Sequence, residues 1–383
     1  MDHPTAKPAG TAPNEVGDPF RFADDLGPAK VVHVTERTTG LRAVVVIDNV
    51  AAGPAIGGTR MAPDVTMAEC IGLARAMTLK NAAAGLPHGG AKSVIRADPR
   101  MDAPGKERLV RAFAGALADL TEYIPGPDMG TDEQAMGWIR DEIGRAVGLP
   151  AELGGIPLDD LGATGFGLAV AVEVASPRAG LDLHGARVAV QGFGAVGVHV
   201  ARFLAERGCR LVAASDSTGG VVDAAGLDIG ELVATKRAGR GLVDQPGVHH
   251  IDRDELIGVD CDIWIPAARP DAIRSDNVDR LRARVVAQGA NIGVTREAEE
   301  RLHARGVVSL PDIIANAGGV ICGAVEYGGG TRTQAFATIE DRIRGNVAEV
   351  LDRAASTGRL PVDAAREMAE ARVRRAMTTR RWT

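Results

Sequence analysis

Apolar residues along this chain switch repeatedly between two spacings. A strand-like pattern sets in at Lys30, and residues 41–48 (LRAVVVID) form a run rich in β-branched residues, of strand length. Residues 53–60 (GPAIGGTR) follow as a glycine-rich connection. From 65 to 84 the spacing becomes helical, with Thr66 and Glu69 as a capping box and Gly85 where a helix stop belongs. Ser93, Val94 and Ile95 then read as a strand entering a core. Asp102 and Pro104 open a helix running to Leu120, and a capping box of Thr131 with Gln134 opens another. The alternation returns after residue 162: strand-like runs at 187–191, 210–215, 261–265 and 284–287 are separated by helical stretches. Two further helical stretches, from about Thr338, are broken near Gly358 and Pro361. Residues 1–16 show no apolar periodicity and are rich in Pro, Ala, Thr and Gly, which predicts disorder. Strands alternating with helices predict an α/β fold.

Chemistry concentrates in residues 80–92, KNAAAGLPHGGAK, where two lysines stand twelve residues apart in apolar surroundings. Lys80 falls in the last turn of its helix, a place that also suits an ordinary exposed lysine interacting with the helix dipole. Lys92 follows Gly89 and Gly90, a pair that lets a ligand approach the backbone, and precedes the apolar strand. Burial disfavours an ammonium ion, which is how a lysine becomes a useful base near neutral pH. Asp128 lies on the loop 124–130 (IPGPDMG), flanked by Pro and Gly residues. Alone it reads as a turn residue; with a lysine for an anionic substrate group and a second lysine as base, it completes an acid-base site.

The second half carries a separate signal. After the strand at 187–191 come Gly192, Phe193, Gly194, Ala195, Val196 and Gly197, then a helix, then a second strand leading to Asp216, nineteen residues after Gly197. A lone GxGxxG is weak, but this complete context predicts a dinucleotide site. The glycines admit a pyrophosphate to the helix N-terminus, and Asp216 is placed to accept hydrogen bonds from the adenosine ribose. Its neighbours Ser217 and Thr218 leave NAD against NADP open, with NAD favoured. Ala267, Asn291 and the segment beginning at Asn316 fall at the strand ends where such sheets bind ligands.

Composition narrows the classes. The chain has 383 residues, 45% hydrophobic and 3% aromatic, enough for two domains. A net charge of −6 without a basic stripe argues against nucleic acid and anionic membranes. The four cysteines show no metal-type spacing, so no metal is expected, and they read as reduced residues of a cytoplasmic protein.

Seven motifs in order, GPAIGGTR, MTLKNAAAGLPHGGAK, PGPDMGT, GATGFG, GFGAVG, GAN and NAGGV, give residues 30–375 a resemblance to the glutamate/leucine/phenylalanine/valine dehydrogenase family. The resemblance implies reversible NAD(P)-dependent oxidative deamination of an L-amino acid to the 2-oxo acid and ammonia, by a homo-oligomer. It implies that Lys80 holds the substrate carboxylate, that Lys92 is the catalytic lysine and that Asp128 handles protons. Thr164 joins the cofactor set. The fold it implies has a Rossmann-type dinucleotide-binding domain (162–344) and an α/β substrate and oligomerisation domain (21–161 plus 345–383) separated by a cleft, with residues 1–20 as a disordered tail. The family's side-chain pocket maps onto Ile56, Gly126, Val320 and Gly323. The position of Ile56 is a lysine in glutamate enzymes, so an apolar substrate (leucine, valine, isoleucine or phenylalanine) is expected, with glutamate dehydrogenase as the alternative. A non-catalytic dinucleotide-binding protein is a second alternative, disfavoured because Lys80, Lys92 and Asp128 are all present. Three positions depart from the family pattern: Ser93 in place of a glycine, Asp160 in place of an arginine, and Gln288 in place of a glutamate.

Overall fold

The structure, a computed structural model, describes residues 21–379; the expected disordered tail, residues 1–20, lies outside them. The first sheet takes in the β-branched runs together with residues of the expected glycine-rich connection 53–60 and of the expected loop 124–130, which are strands here because parallel pairing with their neighbours satisfies their backbone. It comprises β1 (Lys30–Glu36), β2 (Leu41–Asn49), β3 (Ala55–Ala62), β4 (Gly89–Arg96) and β5 (Tyr123–Pro127), in spatial order β1-β2-β4-β3-β5. β1, β2 and β4 run antiparallel in turn, whereas β3 is parallel to both β4 and β5. Helices α1 (Met67–Ala83), α2 (Ala103–Ala116) and α3 (Glu133–Ile143) cover it, and the short α4 (Leu158–Leu161) leads out. Side chains alternate along β4. Val94 packs toward α1 with Cys70 and Val46, and Ile95 packs on the opposite face with Leu109 and Phe113 of α2.

After α5 (Ala163–Ala175), the second sheet begins with β6 (Arg187–Gln191), α6 (Ala195–Ala205), β7 (Arg210–Ser215), β8 (Gly220–Val222), α7 (Ile229–Arg237) and β9 (His249–Ile251). It continues through β10 (Ile263–Pro266), β11 (Val285–Ala287), α8 (Arg296–Ala304), β12 (Val308–Leu310), α9 (Asp312–Ala315) and α10 (Gly318–Tyr327). The order is β12-β11-β10-β6-β7-β8-β9, parallel from β12 to β7 with β8 and β9 antiparallel. This is a doubly wound dinucleotide-binding sheet with an antiparallel edge. The long α11 (Arg332–Thr357) packs along α5, and α12 (Pro361–Thr379) returns to α1. No helix among the described residues is long and apolar enough to cross a membrane.

Two expected caps form differently. Thr66 accepts from the Glu69 amide, but the Glu69 carboxylate is drawn away to Arg60. The helix after Asp128 is capped by Asp132, not Thr131, because the Thr131 hydroxyl is already committed: it donates to the Thr59 carbonyl at 2.7 Å and accepts from the Asp128 amide. The segment after Asn316 is not a glycine loop at a strand end. It opens α10, and Gly318 is there because a Cβ would come within 2.1 Å of the Ala163 carbonyl oxygen of α5.

Candidate active site

A cleft of about 440 Å³ lies between the two sheets, within the range of small-molecule sites. On one side Lys92, 4% exposed, projects from β4, and its Nζ touches Asp128 Oδ2 from the loop after β5. The other carboxylate oxygen of Asp128 accepts from Arg60 Nε at 3.1 Å and from the Met129 amide at 2.6 Å. Arg60 also donates to Glu69 at 2.6 Å. Burial raises the Asp128 pKa, but the Lys92 and Arg60 charges outweigh it and hold the carboxyl below its usual range. Arg60, at the end of the GPAIGGTR motif, is a partner that the sequence reading passed over.

Lys80 is half-buried on α1, and burial depresses its pKa against the opposing pull of Asp312. Its Nζ donates to Asn291 Oδ1 at 2.9 Å, and Asn316 Nδ2 donates to the same oxygen at 3.1 Å. A lysine of α1 is thereby tied to Asn291, and through it to Asn316, on the side of the second sheet. Ile56, Gly126, Val320 and Gly323 line the same cleft. Gly89 and Gly90 do not. They are buried, and their missing Cβ atoms make room for backbone: one at Gly89 would stand 1.7 Å from the Asn49 carbonyl oxygen, one at Gly90 2.0 Å from the Thr78 amide. Gly90 seats α1 on the sheet and Gly89 seats β4 against the end of β2, so in the cleft the pair makes room for backbone and not for a ligand.

Val147 is the pocket residue for which the sequence offers no signal. Its Cγ2 lies 3.1 Å from where a Cβ on Gly126 would stand and 3.5 Å from one on Gly323, so part of the room the two glycines leave is filled by valine. Ile56, Ile124 and Val147 form one apolar cluster with Ala324 against it. Glu326 on α10 fixes this wall, accepting from the amides of Leu149 and Ile156 at 3.1 and 2.8 Å.

The turn between β6 and α6 suits a dinucleotide. Gly192 has φ +98°, and a Cβ on Gly197 would lie 1.9 Å from the Gly192 carbonyl oxygen. At Gly194 a Cβ would meet nothing within 4 Å, and no side chain caps the α6 N-terminus, so its amides are open to a pyrophosphate. Ala195 and Val196 form the first turn of that helix, whereas the Phe193 ring is buried in the core. Thr164, Val196, Asn291 and Asn316 line the cleft, and Asn316 Oδ1 is a buried acceptor without a partner among the described residues. Ala267 donates its amide to Gln191 at the end of β6.

Asp216 differs from the expectation of a free ribose acceptor. Oδ1 takes the Thr218 amide and hydroxyl at 2.8 and 2.6 Å, and Oδ2 takes Lys236 Nζ at 2.6 Å and the Leu242 amide at 3.2 Å. Burial would raise its pKa, yet these donors, Lys236 first, hold it low. Ser217 beside it is exposed. Lys236, an ordinary last-turn lysine of α7 by its sequence position, brings a cation to this corner.

A family model described as glutamate/leucine/phenylalanine/valine dehydrogenase matches residues 154–381, and that family's dimerisation-domain model matches residues 28–145. The chain belongs to this family. It is an amino acid dehydrogenase. It is 42% identical over 297 residues to an NADP(+)-dependent glutamate dehydrogenase of Pyrobaculum calidifontis, covering 73% of this chain and 70% of that one. Its fold matches that of a hetero-hexameric glutamate dehydrogenase from Thermus thermophilus in a Leu-bound form, with a TM-score of 0.83 and 32% identity, over 92% of this chain and 90% of that one. It also matches an L-tryptophan dehydrogenase from Nostoc punctiforme, with a TM-score of 0.70 and 28% identity, over 92% and 97%.

Proposed function

We propose that this dehydrogenase deaminates an L-amino acid with an apolar side chain, such as leucine, valine, isoleucine or phenylalanine, to the 2-oxo acid and ammonia, using NAD or NADP. The observation that carries the substrate class is the make-up of the pocket end: Ile56, Val147 and Val320, backed by the buried Ile124, present no cation. Of the basic residues in the cleft, Lys92 and Arg60 are both engaged by Asp128, and Arg60 by Glu69 as well. Lys80 alone remains to receive an α-carboxylate. A glutamate side chain would bury its second carboxylate without a partner, at a cost of several kcal/mol on the order expected for an uncompensated buried charge. Glutamate is the second reading, favoured by the names of the Pyrobaculum and Thermus relatives.

Gly192, Gly194 and Gly197 with Thr164, Asn291 and Asn316 would hold the dinucleotide, which would accept the hydride leaving the substrate Cα. Lys80 orients the carboxylate by charge and by hydrogen bonding. Lys92 activates the water that attacks the iminium carbon and then, protonated, stabilises the developing oxyanion. Asp128 exchanges protons with Lys92 across their direct contact and with the departing amine, and Arg60 keeps it ionised between transfers. The same reading assigns residues 21–161 with 345–383 to substrate binding and homo-oligomer formation, and 162–344 to the dinucleotide. The dimerisation-domain match supports an assembly.

Steady-state kinetics over the twenty L-amino acids at alkaline pH test the reading. A kcat/KM for glutamate equal to or above that for every apolar amino acid would overturn the substrate class while leaving the reaction intact. Ile56→Lys is expected to create glutamate activity at the expense of leucine, and no gain would count against the pocket assignment.

A further inference from the structure

A second cavity, of about 450 Å³, lies behind the catalytic strand, away from the cleft. Its walls come from the C-terminal end of α1, the start of β4 and the facing sides of α11 and α12. Three arginines line it, Arg342, Arg372 and Arg375, and no carboxylate does.

Arg372 has a structural task. Its Nη1 donates to the Ala82 and Ala83 carbonyls at 3.3 and 2.6 Å and to Asn346, so it caps the carbonyl end of α1, and Nη2 pairs with Glu349. Arg342 and Arg375 have none: neither guanidinium group has a hydrogen-bond or ion-pair partner among the described residues, and the Arg375 carbonyl only accepts from Thr378 and Thr379 in its own helix. Arg342 and Arg375 are exposed, so their side chains stand open to an anion entering the cavity from solvent. Gly85, whose φ of +66° already favours glycine, also leaves space for one of them. A Cβ there would stand 2.8 Å from Arg342 Nη1. Guanidinium forks match phosphate and carboxylate oxygens pairwise, which makes a site of this kind selective for small anions of high charge.

We infer that this cavity is a binding site for a small anion carrying at least two negative charges, borne on phosphate or on carboxylate groups. Thr78 and Gly89 in its wall belong to the elements that carry Lys80 and Lys92, so a bound anion braces the back of the catalytic side.

The test is calorimetric titration of the full chain with pyrophosphate and, separately, with citrate. Both are run under saturating NAD to block the glycine turn, and both are repeated on Arg342→Gln/Arg375→Gln. Saturable binding of either anion is expected, weakened about tenfold or more in the double variant, since each charge-assisted contact is among the strong ones. The variant should keep wild-type circular dichroism and wild-type kcat/KM for its amino acid, because neither arginine lies in the cleft. Pyrophosphate binding alone marks a phosphate-bearing ligand, and citrate binding alone a polycarboxylate. Absence of heat with both anions at millimolar concentration overturns the inference. So does equal affinity in the double variant, which would place the anion in the cleft.

Discussion

Val147→Ala tests what sets the size of the substrate pocket. The side chain is buried, 4% exposed, and its Cγ2 packs over the positions where Gly126 and Gly323 lack a Cβ. Deleting two methyl groups removes about 1.6 kcal/mol of burial at roughly 0.8 kcal/mol each, and the residual cavity brings the cost in stability to about 2–3 kcal/mol. The gain appears on the substrate. A methylene that fits such a pocket is worth about 1–3 kcal/mol, so filling the new space should raise the ratio of kcat/KM for phenylalanine over valine by about tenfold or more. The assay is initial-rate kinetics with both amino acids on wild type and variant, alongside a thermal melt in which the variant unfolds a few degrees lower. An unchanged ratio in a variant that still turns over valine would refute the idea that Val147 limits the pocket.

Three further outcomes follow from the same geometry. Lys92→Ala and Asp128→Asn should each fold yet lose on the order of 10²- to 10⁴-fold in kcat, the range for general acid-base groups; near-wild-type turnover in either would remove it from the mechanism. Lys236→Gln should lower kcat/KM with NADP relative to NAD by about tenfold or more, because it exposes the Asp216 carboxylate to an added 2′-phosphate and removes a cation that could receive it; an unchanged ratio would show that this corner does not read the phosphate. Glu299 is buried, and burial pushes its carboxyl up to about 7 despite donors from Ser309 and Gln288. A raised folded pKa gives stability that is full below about 4.5 and is lost as pH climbs through 7, at most about 3 kcal/mol, so Glu299→Gln should lose less stability than wild type between pH 5 and pH 9 in thermal melts.

Much of the fold was legible because β2, β6, β7, β10 and β11 are apolar runs and the glycine turn sits between two of them, whereas β3 and β5, expected as a glycine-rich connection and a loop, are strands whose glycines and prolines hide the pattern. β8, β9 and β12 are three residues each, too short for a period of two to stand out. Lys92 and Asp128 were legible through their motifs. Arg60 and Lys236 were not, because an arginine at a strand end and a lysine in a last helical turn are commonplace until a carboxylate is seen beside them. Gly89 and Gly90 were legible as a close approach, but not what approaches, since backbone and ligand make the same demand on a glycine. The three departures from the family pattern also became readable only in three dimensions. Ser93 joins a buried network with Thr59 and Tyr123 at 3.0 and 2.8 Å, Asp160 is exposed, and Gln288 donates to Glu299 at 2.7 Å where a glutamate would set two buried carboxylates together.

This difference between positioning and selecting residues explains why likeness to glutamate dehydrogenases and an apolar pocket coexist in one chain. Many of the motif glycines stand where a side chain cannot fit: a Cβ at Gly57 would lie 1.7 Å from the Ala91 carbonyl oxygen, and those at Gly90, Gly197 and Gly318 within about the same distance of backbone atoms. They lock β3 to β4, α1 to the sheet, the turn to α6 and α10 to α5, which holds the lysines, Asp128 and the dinucleotide turn in register whatever amino acid is bound. On the proposed reading, selection falls to Ile56, Val147, Val320 and the open side of Gly323, none of which is one of those close approaches. On that reading overall identity follows the reaction, while the charge and volume at these four positions set the substrate.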